Sequence, residues 1–213
     1  LLKENGRTNL KINKKKFIYL ISPNRITKNF YKNLNLVFKT NKVSIFQMRL
    51  KTYSMKQKMI IGKKIKNICK VNKVYFLVND DPWLAKKLDA DGCHLGQNDM
   101  KIKQARDIIG SKIIGITCHN SIKLAQNAIK SNPNYLAFGA FNATKTKKTK
   151  YQATTETLNR VNKITNIPIV AIGGINSSNY KNLLLNKANF LAISGYIWSN
   201  KKHKPKQAIE ILK

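Results

Sequence analysis

Acidic residues are what this chain has least of. Nine Asp and Glu stand against 41 Lys and Arg, a formal charge of +32. Proline and glycine are also sparse, five and ten in 213 residues, which excludes collagen-like and low-complexity chains. No run of apolar residues is long enough for a membrane-spanning helix, so no membrane partner is expected. Residues 1–16 are polar and basic with no apolar stretch, and do not read as a secretory signal. They are expected to be a basic N-terminal extension, with residues 17–213 as one folded domain. A chain of this length with 42% hydrophobic content can bury a single full core. Cysteine numbers only three, an odd count without framework spacing. That excludes a disulfide-stapled scaffold and points to a reducing compartment, the cytoplasm.

The basic excess raises the question of nucleic acid. Lysines cluster at Lys14-Lys15-Lys16, Lys145-Thr146-Lys147-Lys148 and Lys201-Lys202-His203-Lys204. Elsewhere they are spread through nearly every segment, among abundant Asn and Ile, as a compositional bias spreads them. No zinc-finger, RNP or helix-turn-helix signature accompanies the charge, so a dedicated nucleic-acid partner is not expected. The same charge does draw in small anions. A homo-oligomer is compatible with all of these features.

Apolar runs of strand length fall at 17–23, 43–50, 74–79, 92–96, 113–119, 135–141, 167–173 and 190–197. Between them lie segments such as 54–69, 101–109, 121–131 and 177–187, with apolar residues three and four apart, the helical period. Several strands are apolar throughout rather than alternating, as strands are when helices cover the sheet. Eight strands alternating with helices predict an α/β fold, a single-domain (β/α)8 TIM barrel; a doubly wound open sheet is the alternative. The long irregular connection is 142–152, and a long loop in a compact domain is often functional.

Ligands bind at the C-terminal edge of such a sheet. Asp80 closes the third run and Asp99 follows the fourth. Two of nine carboxylates at that edge suit Mg²⁺, a hard cation that takes one or two carboxylates plus substrate phosphates. The alternative is a helix cap and a turn residue. Gln47, Arg49 and Lys51 alternate at the end of the second run, so they share a face. A guanidinium fork and an ammonium there suit phosphate oxygens; a solvated strand end is the alternative. Thr144, Lys145, Thr146 and Lys147 offer hydroxyls and ammonium groups in the long loop. Gly173-Gly174 follows the seventh run and Ser194-Gly195 lies near the end of the eighth, where barrels commonly hold a phosphate on backbone N–H groups.

The order QxRxK (47–51), ND (79–80), DGxHLGQxD (91–99), GxTxH (115–119), GxFxxTxTK (139–147), IPxVAIGGI (167–175) and a serine-bearing last strand resembles the thiamine-phosphate synthase family. The likeness runs from about Phe17 to Trp198. Each motif is weak alone; in this order they are specific. The resemblance implies an enzyme joining 4-amino-5-hydroxymethyl-2-methylpyrimidine diphosphate to a thiazole phosphate. The products would be thiamine monophosphate and pyrophosphate. By the same resemblance, Gln47, Arg49, Lys51, Asn79 and Lys147 hold the pyrimidine diphosphate, and Asp80 and Asp99 ligate Mg²⁺. Thr117 stands where the family has a serine near the pyrimidine. Thr144 and Thr146 form the thiazole-phosphate loop, and Gly174, Ser194 and Gly195 its backbone cradle. Arg49, Lys51, Lys147 and Thr117 are the residues implied in catalysis.

Three departures accompany the likeness. Asp81 stands where the family has Arg, adding negative charge beside the metal position. The loop Gly139-Ala140-Phe141-Asn142-Ala143-Thr144 lacks two of the family's prolines, and Thr149 replaces an acidic residue. Cys93-His94 and Cys118-His119 hint at zinc, but adjacent strand residues face opposite sides, so all four cannot converge. His119 matches a base in the related thiazole tautomerases, which supports that activity as the rival reading.

Overall fold

The structure is a computed structural model and describes residues 3, 4, 7, 8, 10, 12–143 and 150–213. Two short antiparallel strands, β1 (Lys3–Glu4) and β2 (Arg7–Thr8), precede the main fold. The elements then alternate as β3 (Ile18–Ile21), α1 (Phe30–Phe38), β4 (Val43–Met48), α2 (Met55–Val71), β5 (Tyr75–Asn79) and α3 (Pro82–Lys87). They continue as β6 (Gly92–Leu95), α4 (Ile102–Ile109), β7 (Ile113–His119), α5 (Ile122–Ile129), β8 (Tyr135–Gly139) and α6 (Thr155–Asn162). The last are β9 (Ile169–Ile172), α7 (Tyr180–Leu185), β10 (Phe190–Ile193), α8 (Gly195–Trp198) and α9 (Pro205–Glu210). β3 to β10 pair in parallel in chain order, and β10 pairs back onto β3. This closed (β/α)8 barrel excludes the open doubly wound sheet.

Alternation along each strand sorts side chains into two cores. Leu20, Phe46, Val78, Leu95, Phe138 and Leu191 point outward and pack with helix residues such as Leu34, Ile65, Ala105 and Leu158. Tyr19, Ile45, Leu77, Ile113, Tyr135, Val170 and Phe190 point inward and fill the barrel. Burial on both faces is why the strands read as continuous apolar runs. Leu10, ahead of the barrel strands, joins the inner cluster. Cys93 and Cys118 belong to the outer core, where burial pushes both thiols up to about 12. They behave as small apolar groups, and the zinc arrangement is excluded by their outward direction.

One element differs from the pattern. The apolar run 190–197 was expected to be a single strand, but β10 ends at Ile193. Ser194 then turns the chain into the short helix α8, with the Ile197 and Trp198 N–H groups bonding back to the Ser194 carbonyl. Trp198 Nε1 donates to the Ile21 carbonyl at 2.7 Å, anchoring α8 across the end of β3. Ser194-Gly195 is the one break in the run, and the half-buried Tyr196 and buried Ile197 beyond it belong to the helix.

Candidate active site

Asp80 follows β5 in the left-handed region (φ 65°), which Asp tolerates better than most residues. Its N–H donates to the His94 carbonyl at 2.8 Å, fixing the turn against β6. Lys51 Nζ lies 3.1 Å from Asp80 Oδ2. Asp99 folds back onto the end of β6, its Oδ2 accepting the Gly96 N–H at 2.7 Å. There its carboxyl lies beside that of Asp80. Desolvation first, and Asp80 second, raise the Asp99 carboxyl above its usual value. Two hard oxygen donors repelling one another on neighbouring strands form a site that a small divalent cation would relieve. Among the described residues no group of three or more His, Cys, Asp or Glu is placed to hold a metal. A cation here would therefore complete its shell from substrate or water.

The cap role weighed for these aspartates falls instead to Asp81. Its Oδ1 accepts the Leu84 N–H at 2.9 Å as the N-cap of α3, with Pro82 at the first helical position. Asp91 serves the opposite edge, its Oδ2 accepting the Phe76 N–H at 2.7 Å.

Two cavities open at this edge. The first, about 300 Å³, is lined by Met48, Leu50, Lys51, Lys58, Val78, Asn79, Asp80, Asp81 and Leu84. Lys58, from α2, adds a cation that no motif marked. Arg49 stands beside it, its N–H bonded to Ser22 Oγ at 2.9 Å and its Nη1 donating to Asn24 Oδ1 at 3.2 Å. The second cavity, about 280 Å³, is lined by Ala140, Asn142, Ala143, Lys150, Tyr151 and Gln152. Thr144, Thr146 and Lys147 fall between these and lie outside the described residues. His119, also left-handed (φ 53°), stacks on Tyr151 with ring centroids 4.2 Å apart. Gly174 (φ +60°) follows β9; a Cβ there would come within 2.5 Å of the Ala143 carbonyl. Only glycine lets the two loops pass this closely. Ser194 Oγ donates to the Ser22 carbonyl at 3.2 Å, so the ends of β10 and β3 are tied where Gly195 opens α8.

Gln47, Asn79 and Thr117 are joined through Tyr19 and Tyr135, which the motif reading passed over, and through His94, which it quoted without a role. Gln47 Nε2 donates to Asn79 Oδ1 at 2.5 Å. Tyr19 OH donates to Gln47 Oε1 at 2.9 Å and meets Tyr135 OH at 2.8 Å. Tyr135 OH meets His94 Nδ1 at 2.8 Å, and His94 Nε2 meets Thr117 Oγ1 at 2.8 Å. The available signal was parity: each of these residues sits at an inward position of its strand.

The sequence profile of the thiamine monophosphate synthase family matches residues 18–197. A protein of Pelagibacter ubique (strain HTCC1062) named thiamine-phosphate synthase is 65% identical over 204 residues, covering 95% of this chain and 98% of that protein. One of Erythrobacter litoralis (strain HTCC2594) with the same name is 40% identical over 196 residues, covering 90% and 92%. The solved structure of thiamine phosphate pyrophosphorylase from Pyrococcus furiosus superposes with a TM-score of 0.82 at 28% identity, covering 93% of this chain and 94% of that one.

Proposed function

This chain belongs to the thiamine monophosphate synthase family of enzymes, and from that premise we propose the reaction it catalyses. It joins 4-amino-5-hydroxymethyl-2-methylpyrimidine diphosphate to 4-methyl-5-(2-phosphoethyl)thiazole, or its carboxylated form, giving thiamine monophosphate and pyrophosphate, with carbon dioxide released as well when the carboxylated form is used. The observation that carries this reading is the Asp80–Asp99 pair with Lys51 against it, at the mouth of a cavity that Asn79 also lines. The second cavity, lined by Ala140, Asn142, Ala143, Lys150, Tyr151 and Gln152, offers a separate place for the second substrate.

Gln47, Asn79 and Thr117 hold the pyrimidine, and Arg49, Lys51 and Lys147 its diphosphate. Asp80 and Asp99 would hold Mg²⁺, which when bound supplies positive charge against the diphosphate oxygens. The hard step is heterolysis of the C–O bond between the pyrimidine methylene and the diphosphate, with the electron pair leaving on pyrophosphate. Arg49, Lys51 and Lys147 stabilise that growing negative charge with fixed positive groups. The pyrimidine-methyl cation is captured by the lone pair of the thiazole nitrogen, which forms the new C–N bond. Thr144, Thr146, Gly174, Ser194 and Gly195 anchor the thiazole phosphate, so the protein contributes position rather than a nucleophile.

The test is a coupled assay. Purified protein with Mg²⁺ and both substrates should release pyrophosphate and form thiamine monophosphate in equal amounts. Folded protein that makes neither at saturating substrate refutes the reading. Isomerisation of the thiazole ring without coupling would transfer it to a tautomerase using His119, and salt-sensitive RNA binding without turnover to a non-enzymatic role.

A further inference from the structure

Six side chains form a single hydrogen-bonded line across the barrel interior: Thr117, His94, Tyr135, Tyr19, Gln47 and Asn79. Each hydroxyl in it has one proton to give, and a neutral imidazole has one N–H. The line therefore has only two neutral arrangements, all donors pointing one way or all the other. The Gln47 amide decides between them. Its Oε1 faces the Tyr19 hydroxyl and its Nε2 faces Asn79 Oδ1, so Tyr19 must donate to Gln47. Tyr135 must then donate to Tyr19, His94 must donate from Nδ1 to Tyr135, and Thr117 must donate to His94 Nε2. At the two ends, this leaves lone pairs on Thr117 Oγ1 and N–H donors on Asn79 Nδ2.

The fold makes room for this line. A Cβ on Gly115 would lie 1.8 Å from Cζ of Tyr135, so the Tyr135 ring crosses the barrel only because residue 115 has no side chain. Tyr19 packs edge-on against Tyr135 with centroids 5.6 Å apart, and both hydroxyls are buried deeply enough that neither ionises. Inside a barrel, hydrogen bonds exchange less with water and hold their direction better than at a surface.

We propose that Tyr19, Tyr135 and His94 are positioning residues that set the polarity of the pyrimidine pocket, an acceptor at Thr117 and a donor at Asn79. The pocket thereby selects a ring bearing an amino group at the Thr117 side over one bearing a carbonyl. The ligand assignment rests on the proposed reaction; the polarity of the line does not. A carbonyl placed against the Thr117 lone pairs would meet no donor, and a pocket built around one hydrogen bond rejects the analogue that cannot make it.

The experiment is ¹⁵N NMR of histidine-labelled, ligand-free protein near neutral pH, with the His94 signals identified by their loss in His94→Gln. His94 should be neutral with its proton on Nδ1. In Tyr135→Phe, and in Tyr19→Phe as a second variant, the proton should shift to Nε2, because the hydroxyl that fixed it is gone or free to reverse. Pyrimidine diphosphates carrying 4-amino or 4-oxo groups are then compared. Wild type should prefer the amino substrate by about 100-fold or more in kcat/KM, and either variant should lose about tenfold of that preference. A wild-type imidazole protonated on Nε2, or a preference unchanged in both variants, overturns the proposal. The NMR result needs no turnover. Nδ1–H in a protein that forms no thiamine monophosphate therefore counts against the proposed reaction alone, and Nε2–H in an active enzyme counts against the line alone.

Discussion

Asp99, proposed with Asp80 as a Mg²⁺ ligand, sits where its charge is disfavoured by burial and by Asp80. Asp99 has its carboxyl held above the ordinary 3.8 by desolvation and by Asp80. An acid with a raised folded pKa costs stability as pH climbs from its unfolded value through its folded one, and the whole cost is present at neutral pH. Asp99→Asn should therefore melt no lower than wild type at pH 7 without divalent cations, while turnover falls by about 100-fold or more. Mg²⁺ at about 100 times its Kd should stabilise wild type by about 2.7 kcal/mol and leave Asp99→Asn unmoved, which thermal melts with and without Mg²⁺ would check. Gly174 sets a different limit. With φ at +60° and the Ala143 carbonyl close by, Gly174→Val strains its own backbone and pushes the Asn142–Ala143 loop. Steady-state kinetics should show KM for the thiazole phosphate raised about tenfold or more, with kcat less affected.

Among the elements, α3 shows how an unusual residue is put to local use. Asp81 brings a carboxylate beside Asp80, yet it also caps the helix that follows. Asp81→Ala should cost about 1 kcal/mol in chemical denaturation and Asp81→Asn only a few tenths, since Asn caps a helix as well as Asp. If the Asp81 charge modulates cation binding, Asp81→Asn will change the Mg²⁺ dependence of turnover with the fold intact. The helices and strands were largely legible where amphipathic segments met short apolar runs, as at α2, where Ser54 and Gln57 form a capping box. The boundary between β10 and α8 was not legible. Apart from Ser194-Gly195, the run from Phe190 to Ile197 is apolar and suits either conformation, and the Trp198 bond to the Ile21 carbonyl anchors its end as helix.

Across the whole molecule, a charge of +32 would act on the polyanionic substrates of the proposed reaction. Their capture should be electrostatically assisted, so kcat/KM should fall several-fold between about 10 mM and about 300 mM salt while kcat changes little. A salt-independent kcat/KM would show that capture does not depend on the field. Sequence alone determined the order of eight strands, the edge at which Asp80, Asp99, Arg49 and Lys51 collect, and that Cys93 and Cys118 face away from their neighbours His94 and His119. Those follow from local periodicity, which a chain writes into consecutive residues. Only closure of the barrel decided that Tyr19 would meet Tyr135, 116 residues away, and that His94 would reach Thr117 on the next strand. Such contacts depend on register and on the space left by Gly115, and neither is encoded in any one segment. The carboxyl pair carries the same lesson, since a turn at Gly96 and a left-handed Asp80 were needed to bring the carboxyls at the ends of two neighbouring strands side by side.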